Sequence, residues 1–186
     1  MAGPSGSGKS RLGRVTGAAQ FRLDDFYKDH DAPGLPVVDD RVDWDDVRSW
    51  DCDRAALALG ELLESGRTTV PNYSISRSRA EGTREVDLGS ARVVIAEGIF
   101  APDLLAACRS RGIAVTALWL DRSRHANFAR RLRRDLAQHR KPPSILLRRG
   151  LMLWREEGAK REHALAAGFR PMGMKQAMAL VRELGA

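Results

Sequence analysis

The chain has 186 residues, of which 43% are hydrophobic and 30% are charged. This length suits one domain with one sizeable core, and the composition excludes wholesale disorder. No apolar run approaches the roughly 18 residues of a membrane span, and the N-terminus lacks a signal peptide's apolar segment, so we expect a cytoplasmic protein without a membrane partner. Two cysteines exclude a disulfide framework and a structural zinc site. The net charge of +7 predicts an anionic partner, either nucleic acid or nucleotide phosphates.

The chain opens with a phosphate-binding loop. Gly3 to Ser10 read GPSGSGKS, which fits the spacing G-x-x-x-x-G-K-[ST]. In such a loop, backbone N–H groups converge on a phosphate chain, Lys9 reaches the β- and γ-phosphates, and Ser10 ligates Mg²⁺. The alternative is a flexible glycine-rich terminus that fits by chance. The motif predicts these ATP-binding residues: Gly3, Pro4, Ser5, Gly6, Ser7, Gly8, Lys9, Ser10 and Arg11.

Only Met1 and Ala2 precede this loop, although a loop of this kind connects a buried strand to a helix. We expect the first strand of the sheet to be truncated here, through a start codon assigned too late or a shortened chain. The upstream codons are then predicted to encode about five to eight mostly apolar, β-favouring residues. A chain without that strand should have low stability and weak ATP affinity.

Short apolar runs alternate with helical patterns along the rest of the chain. Helical spacing predicts helices at 53–64, 102–109, 122–138, 144–166 and 174–184. Strands are predicted at 19–23, 92–96 and 114–120, and a hairpin insertion is predicted at about 68–88. This alternation predicts an α/β fold, an open parallel sheet with helices on both faces and a ligand crevice at the carboxyl ends of its strands.

Acidic residues follow the predicted strands at that edge. Asp24 comes after the strand at 19–23, and Glu97 comes after the strand at 92–96. At least one carboxylate of Asp24 and Asp25 should face the crevice, where it could accept the proton of a substrate hydroxyl, and Glu97 could bind Mg²⁺ directly or through water. The alternative is that both acids only terminate their strands in solvent.

The predicted helix after 122 carries a cationic face. Arg130, Arg131 and Arg134 fall on one side of the helical wheel, and Phe128 and Leu132 fall on the other. This face could bind nucleic acid, lie in solvent, or close over a triphosphate as a lid. The phosphate-binding loop favours the lid, and the lack of interleaved exposed aromatic residues argues against single-stranded nucleic acid.

In chain order, six stretches carry a resemblance to a known family. They are GPSGSGKS, LDDFYKD, VDWDDVRSWD, VPNYSISRSR, VVIAEGIF and RRLRRD. Together they resemble the uridine (uridine–cytidine) kinase family of P-loop nucleoside kinases, which is related to phosphoribulokinase, over the chain as far as about Pro143. The resemblance implies one kinase domain over 1–186, with the hairpin at about 68–88 covering the substrate and a lid at about 122–141.

The resemblance also implies roles for single residues. Asp24 corresponds to the catalytic base, and Lys9, Arg131 and Arg134 correspond to catalytic groups that contact the phosphates. The metal-associated positions are Ser10, Asp24 and Glu97. Asp45 corresponds to the acid that holds the ribose hydroxyls, and the implied substrate-binding residues are Tyr27, Trp44, Asp45, Tyr73, Arg77 and Arg79. Arg77 stands where relatives often have histidine, which would suit an acceptor with an acidic or phosphorylated group.

The implied reaction is phosphoryl transfer from ATP or GTP, with Mg²⁺, to the 5′-hydroxyl of a nucleoside, uridine or cytidine first. One alternative is a P-loop kinase that phosphorylates another small-molecule hydroxyl, as phosphoribulokinase or pantothenate kinase does. Another is a nucleotide-binding protein without kinase activity that contacts RNA. The expected partners are a nucleoside and a nucleoside triphosphate, and a homo-oligomer stays open.

Overall fold

The structure, a computed structural model, describes residues 1–4, 6–137 and 143–186, without the side chains of 124, 131, 134–137 and 143–153. Its helices are α1 Lys9–Thr16, α2 Cys52–Ser65, α3 Ala101–Ser110, α4 Arg124–Ala137, α5 Pro143–Ala166 and α6 Met174–Leu184. Its strands are β1 Ala19–Arg22, β2 Val37–Val38, β3 Arg41–Val42, β4 Arg67–Ser74, β5 Arg79–Asp87, β6 Val94–Glu97, β7 Leu118–Leu120 and β8 Arg170–Met172. Short 3₁₀ turns lie at Leu23–Phe26 and Val47–Ser49.

The central strands are parallel, as predicted. Strand β1 pairs with β6, with Ala19 opposite Val94 and Arg22 opposite Glu97. Strand β7 pairs with β8, with Leu118 opposite Arg170. Because Arg22 and Glu97 are in register, the segments that follow β1 and β6 leave the sheet at the same edge.

Met1 and Ala2 lie between these two pairs of strands. Ala2 exchanges backbone hydrogen bonds of 2.9 Å with Leu118 and Leu120 of β7, and the Met1 amino group donates to the carbonyl oxygen of Ala96 in β6. Met1 and Ala2 therefore occupy the position of a central strand between β6 and β7. Burial lowers the pKa of the Met1 amino group to about 5.

An apolar cavity of about 420 Å³ continues from Met1 between the two strands, and residues 92–96 and 114–118 line it. The predicted strand at 114–120 is therefore only partly confirmed. Among the described residues, no strand lies on the cavity side of 114–117 with which they could form a ladder, and β7 begins only at Leu118, beside Ala2.

Helices cover both faces of the sheet, as predicted. Alternate residues of β6 and β7 point to opposite faces, so Ile95 and Leu120 join Leu12 of α1 and Val181 of α6 in one apolar cluster. On the other face, Trp119 packs in a larger cluster that includes residues of α2 and α3. None of the described helices combines the length and apolarity needed to cross a membrane.

The predicted hairpin at about 68–88 is formed by β4 and β5. It is docked on the segment after β1, where the Tyr73 hydroxyl donates to the carbonyl oxygen of Lys28 at 3.0 Å, and the Ala80 amide donates to Asp29 at 2.8 Å. A smaller hairpin, formed by β2 and β3, was not predicted. Its two-residue turn is Asp39-Asp40, and both residues have positive φ, 49° and 58°. Asn-Gly is the usual sequence signal for such a turn, and two aspartates indicate it less clearly.

Candidate active site

The phosphate-binding loop leads directly into α1. Gly8 precedes the helix with φ of 101°, a left-handed conformation, and a side chain on it would meet the Met174 methyl carbon at 2.7 Å. Lys9 folds back over the loop and donates to the carbonyl oxygens of Gly3 at 2.8 Å and Pro4 at 3.1 Å. The Lys9 ammonium group therefore lies against the backbone of the loop. Ser5 lies outside the described residues.

Ser10 and Glu97 lie side by side, as the magnesium prediction requires. The Ser10 hydroxyl, in the first turn of α1, donates to Glu97 Oε1 at the end of β6 with a distance of 2.7 Å. Two hard oxygen ligands fit Mg²⁺, which keeps several waters and usually binds one or two protein oxygens together with substrate phosphates. Within the described residues no group of three or more His, Cys, Asp or Glu residues could hold a metal ion.

The two aspartates after β1 differ in their partners. Asp25 is only 1% exposed, and it accepts a hydrogen bond from Arg84 and lies 3.7 Å from Arg22. Burial raises the pKa of Asp24, Arg22 and Lys9 lower it, and Glu97 raises it further. These interactions place Asp24 within electrostatic range of Lys9 and Glu97. Asp25 therefore ties this segment to the hairpin, because Arg84 lies in β5.

Aromatic residues that were predicted to bind substrate form one cluster. The Tyr27 ring contacts Trp44 and Tyr73, each with ring centroids 5.8 Å apart, and Phe100 at 5.7 Å. Burial raises the pKa of both tyrosines, that of Tyr73 to about 12. Phe100 also stacks on Trp50 at 5.3 Å, and Trp50 donates to the Leu23 carbonyl oxygen at 2.8 Å. Trp50 and Phe100 were missed, although both lie in stretches that carry the family resemblance.

A cleft of about 480 Å³ lies beside the phosphate-binding loop, and Gly3 and Pro4 form part of its wall. Its apolar lining includes Ile99, Phe100 and Trp119, and its charged lining consists of Asp45, Asp103, Glu157, Lys160 and His163. Asp45, the residue predicted to hold hydroxyl groups, therefore faces a cavity that can enclose a small molecule. Lys160 and His163 belong to α5, where the sequence analysis found no motif.

The remaining predicted site residues lie elsewhere or outside the description. Arg77 forms an ion pair of 2.7 Å with Glu81 across the exposed turn of the hairpin, and Arg79 is exposed beside it. The structure therefore does not bring either arginine to the aromatic cluster or to the cleft. The side chains of Arg131 and Arg134 lie outside the described residues, although their backbone is part of α4. The predicted lid at about 122–141 includes residues 138–141, which also lie outside the described residues.

Helix α4 is joined to α5 by a buried polar contact. Asn127 is fully buried and donates to Glu157 Oε1 at 3.1 Å, and its side chain also reaches the Arg122 carbonyl oxygen at 3.4 Å. Phe128 is half-buried and Arg130 is exposed, so the predicted division into an apolar face and a cationic face holds for the described residues. Glu157 contributes to the wall of the cleft beside the loop, so the contact ties α4 to that wall.

A second, more polar cavity of about 670 Å³ lies on the other side of Glu157. It is lined by residues that follow β7 and β8, among them Asp121, Arg122 and Gly173. Burial lowers the pKa of Arg122, and the nearby Arg130 and Arg11 lower it further. Arg122 therefore lies within electrostatic range of Arg130 and Arg11, beside a cavity whose lining also holds the carboxylates of Asp121, Glu157 and Glu162.

Two solved structures are similar to this chain. A protein provisionally named as a fructose transport system kinase from Silicibacter sp. TM1040 has a similar solved structure, with a TM-score of 0.56 and 21% identity over 92% of this chain and 85% of that one. A possible uridine kinase from Bacillus stearothermophilus matches 68% of this chain and 71% of its own, with 20% identity and a TM-score of 0.46. The first likeness supports the fold alone.

A curated protein also matches part of the chain. Inorganic pyrophosphatase TTM2 from Arabidopsis thaliana is 34% identical over 106 residues, which are 54% of this chain but only 15% of that protein. A sequence model of the Phosphoribulokinase / Uridine kinase family matches residues 1–141, about three-quarters of the chain and all of the loop, acid and hairpin positions described above. The chain therefore belongs to the phosphoribulokinase/uridine kinase family, whose members are P-loop kinases that generally use ATP and Mg²⁺.

Proposed function

We propose that the protein is a nucleoside kinase that transfers the γ-phosphoryl group of ATP or GTP to the 5′-hydroxyl of uridine or cytidine. The observation that carries the proposal is the meeting of Lys9, the Ser10–Glu97 pair and Asp24 at one edge of the sheet, beside an enclosed cleft. Phosphoryl transfer needs these groups: a cation on the phosphates, oxygen ligands for a metal ion, and a base near the acceptor hydroxyl.

In the proposed reaction, Lys9 exchanges its hydrogen bonds to Gly3 and Pro4 for bonds to the phosphates. Ser10 and Glu97 would hold Mg²⁺, which would neutralise charge on the transferred phosphoryl group. Asp24 accepts the proton of the acceptor hydroxyl as that oxygen attacks, and its raised pKa improves it as a base. Arg131 and Arg134 stay candidates for stabilising the transition state through α4.

The charges of the cleft favour a neutral acceptor over a phosphorylated one. Its described lining has three carboxylates, from Asp45, Asp103 and Glu157, against one ammonium group, from Lys160, and one imidazole, from His163. A sugar phosphate would bring further negative charge into this surrounding, and like charges at short range disfavour binding. Because Arg77 pairs with Glu81, it does not supply the missing positive charge. The aromatic cluster beside the cleft suits a flat base.

A panel of acceptors tests this proposal directly. Purified protein is incubated with Mg²⁺ and ATP or GTP, and product formation is followed for uridine, cytidine, adenosine, ribulose 5-phosphate, pantothenate and fructose. Fructose is included because of the name of the structural relative. We expect turnover of a pyrimidine nucleoside and negligible turnover of ribulose 5-phosphate. Turnover of another alcohol without any pyrimidine nucleoside would reject the proposed acceptor and retain the kinase.

A further inference from the structure

The first turns of α4 are held against α5 by a side chain that is fully buried. Asn127 donates from Nδ2 to Glu157 Oε1 at 3.1 Å, and Glu157 is itself only 6% exposed. The ring of His125 also contacts Trp154 of α5, with ring centroids 5.8 Å apart. Together these contacts fix the distance between the two helices and the rotation of α4 about its own axis.

Stability alone does not account for Asn127. Its Oδ1 atom is buried and has no hydrogen-bond partner in the described part of the chain. A buried polar atom without a partner costs free energy, and replacing such a pair by apolar side chains of similar size is often neutral or stabilising. A buried hydrogen bond does, however, select one arrangement of two helices, because its donor and acceptor must meet with good geometry. Asn127 therefore contributes orientation more than stability.

The orientation of α4 decides where its cationic face points. Arg130 lies about one turn after Asn127, so the two residues are on the same side of the helix. Burial lowers the pKa of Arg122, and Arg130 and Arg11 lower it further, so both of these arginines lie within electrostatic range of Arg122. Arg11 directly follows the phosphate-binding loop. The contact with Glu157 therefore keeps the Arg130 side of α4 turned towards the loop.

Glu157 lies in a wall that two cavities share. It lines the cleft beside the phosphate-binding loop, and it also lines the more polar cavity next to Arg122. Asn127 lines neither cavity. Because a ligand in either cavity would not touch Asn127, this residue can influence a reaction there only through the position of α4.

We propose that Asn127 is a positioning residue for phosphoryl transfer, and that its hydrogen bond to Glu157 holds the cationic face of α4 towards the phosphates of the bound donor. This inference rests on the proposed function, because it assumes phosphoryl transfer at this site. Guanidinium groups matter most where charge develops in the transition state, and a misplacement of about 1 Å can lower a rate by about 10²-fold. Loss of the contact should therefore lower kcat by about 10–100-fold and change the KM for the acceptor by less than about threefold.

The test reverses the direction of the hydrogen bond. Asn127→Asp places a carboxylate against that of Glu157, so the donor is lost and kcat should fall by about 10–100-fold. In the double variant Asn127→Asp/Glu157→Gln, the amide at position 157 can donate to the carboxylate at position 127. The kcat of the double variant should be at least about tenfold above that of Asn127→Asp and should approach that of Glu157→Gln alone.

The matched control separates positioning from stability. Leu62→Ala removes packing of a fully buried side chain of α2 that lines neither cavity, so it should lower Tm at least as far as Asn127→Asp does. Its kcat should stay near native at a temperature at which all variants are folded. Steady-state kinetics with ATP and uridine and thermal unfolding of each variant supply these values.

A lower kcat in Asn127→Asp with a near-native KM for the acceptor, recovery in the double variant and a near-native kcat in Leu62→Ala support the inference. A native kcat in Asn127→Asp, or a loss that the folded double variant does not recover, overturns it. If Asn127→Asp does not fold, Asn127→Ala removes the contact without adding a charge, and a native kcat in that variant also overturns the inference.

The same experiment distinguishes failure of the inference from failure of the proposed function. Turnover of another alcohol in place of any nucleoside rejects the proposed acceptor, and the same variants then decide the role of Asn127 with that alcohol. A native protein that phosphorylates no acceptor rejects both the inference and the proposed function.

Discussion

The adjacent acids Asp24 and Asp25 should respond to the same substitution in opposite ways. Asp24→Asn removes the proposed base, which is expected to lower kcat by about 10²–10⁴, equivalent to about 3–5 kcal/mol of transition-state stabilisation. Its affinity for ATP should stay near that of the native protein, because Asp24 is not part of the phosphate-binding loop. Asp25→Asn should keep most of the turnover that the folded protein shows.

The stability of the two variants should differ in the reverse sense. Asp25 is 1% exposed and bound to Arg84 and Arg22, so its substitution weakens a buried ion pair. Breaking such a pair costs about 3–5 kcal/mol, but the two arginines are 35% and 51% exposed and can turn to solvent. We therefore expect a loss of about 1–3 kcal/mol, which lowers Tm by about 3–10 °C in a protein of this size.

Asp24→Asn should be at least as stable as the native protein at pH 7. Burial raises the folded-state pKa of Asp24 above its unfolded value, so the folded state holds this proton to higher pH. Stability from this group is therefore present at low pH and is lost as the pH rises through the folded-state pKa. The asparagine side chain in Asp24→Asn has no charge to desolvate, so the variant does not lose this stability as the pH rises.

Steady-state kinetics with ATP and uridine, ATP titration and thermal unfolding of both variants check these expectations together. The reasoning would be refuted if Asp25→Asn lost turnover as strongly as Asp24→Asn while its Tm stayed native. It would also be refuted if Asp24→Asn retained native kcat. Either result would assign the chemistry to a different carboxylate.

Three further predictions concern the loop and the chain start. Gly8→Ala should weaken ATP binding by about tenfold or more, because a φ of 101° strains any residue that has a side chain. Adding Met174→Ala should restore little of this affinity, since it relieves only the 2.7 Å clash, and full restoration of ATP binding would contradict the prediction. Ser10→Ala should raise the Mg²⁺ concentration that gives half-maximal rate, measured by metal titration, whereas an unchanged requirement would remove Ser10 from the metal site. In a polypeptide that begins at Met1, the free energy of unfolding should decrease by up to about 1.4 kcal/mol per pH unit as the pH is lowered from 8 to 5. In this range the amino group binds a proton in the unfolded state but not in the folded state, where its pKa is about 5. Urea unfolding across this range checks it, and an Nα-acetylated chain that showed the same slope would contradict the assignment.

The local elements were predictable because their signals are local. Gly66 ends α2 in a left-handed conformation, as its position after the helical pattern indicates, and Asp51 caps the start of the helix by accepting from the Arg54 amide. Residues 114–117 were predicted as strand from their apolar character, but a strand also needs a neighbour. That requirement depends on tertiary structure, and the cavity beside Met1 leaves it unmet.

The site was predictable to the extent that motifs fix it. Ser10 and Glu97, far apart in sequence, were both expected at a metal site, and they lie 2.7 Å apart. The family resemblance assigned the base to Asp24, but the contact of Asp25 with Arg84 across the hairpin could not be predicted, because it depends on tertiary structure. Lys160 was missed for a similar reason, since α5 has no motif and only its orientation brings it to Asp45.

In a polypeptide that begins at Met1 and ends at Ala186, the burial of Met1 also decides how it should be tagged for study. Any residue fused ahead of Met1 would have to enter the sheet between β6 and β7, through an apolar cavity that disfavours histidines and charged linkers. Ala186, in contrast, is exposed at the end of the chain. Polyhistidine placed after Ala186 should leave the phosphate-binding loop undisturbed, and polyhistidine joined directly to Met1 should lower both the yield of folded protein and its affinity for ATP.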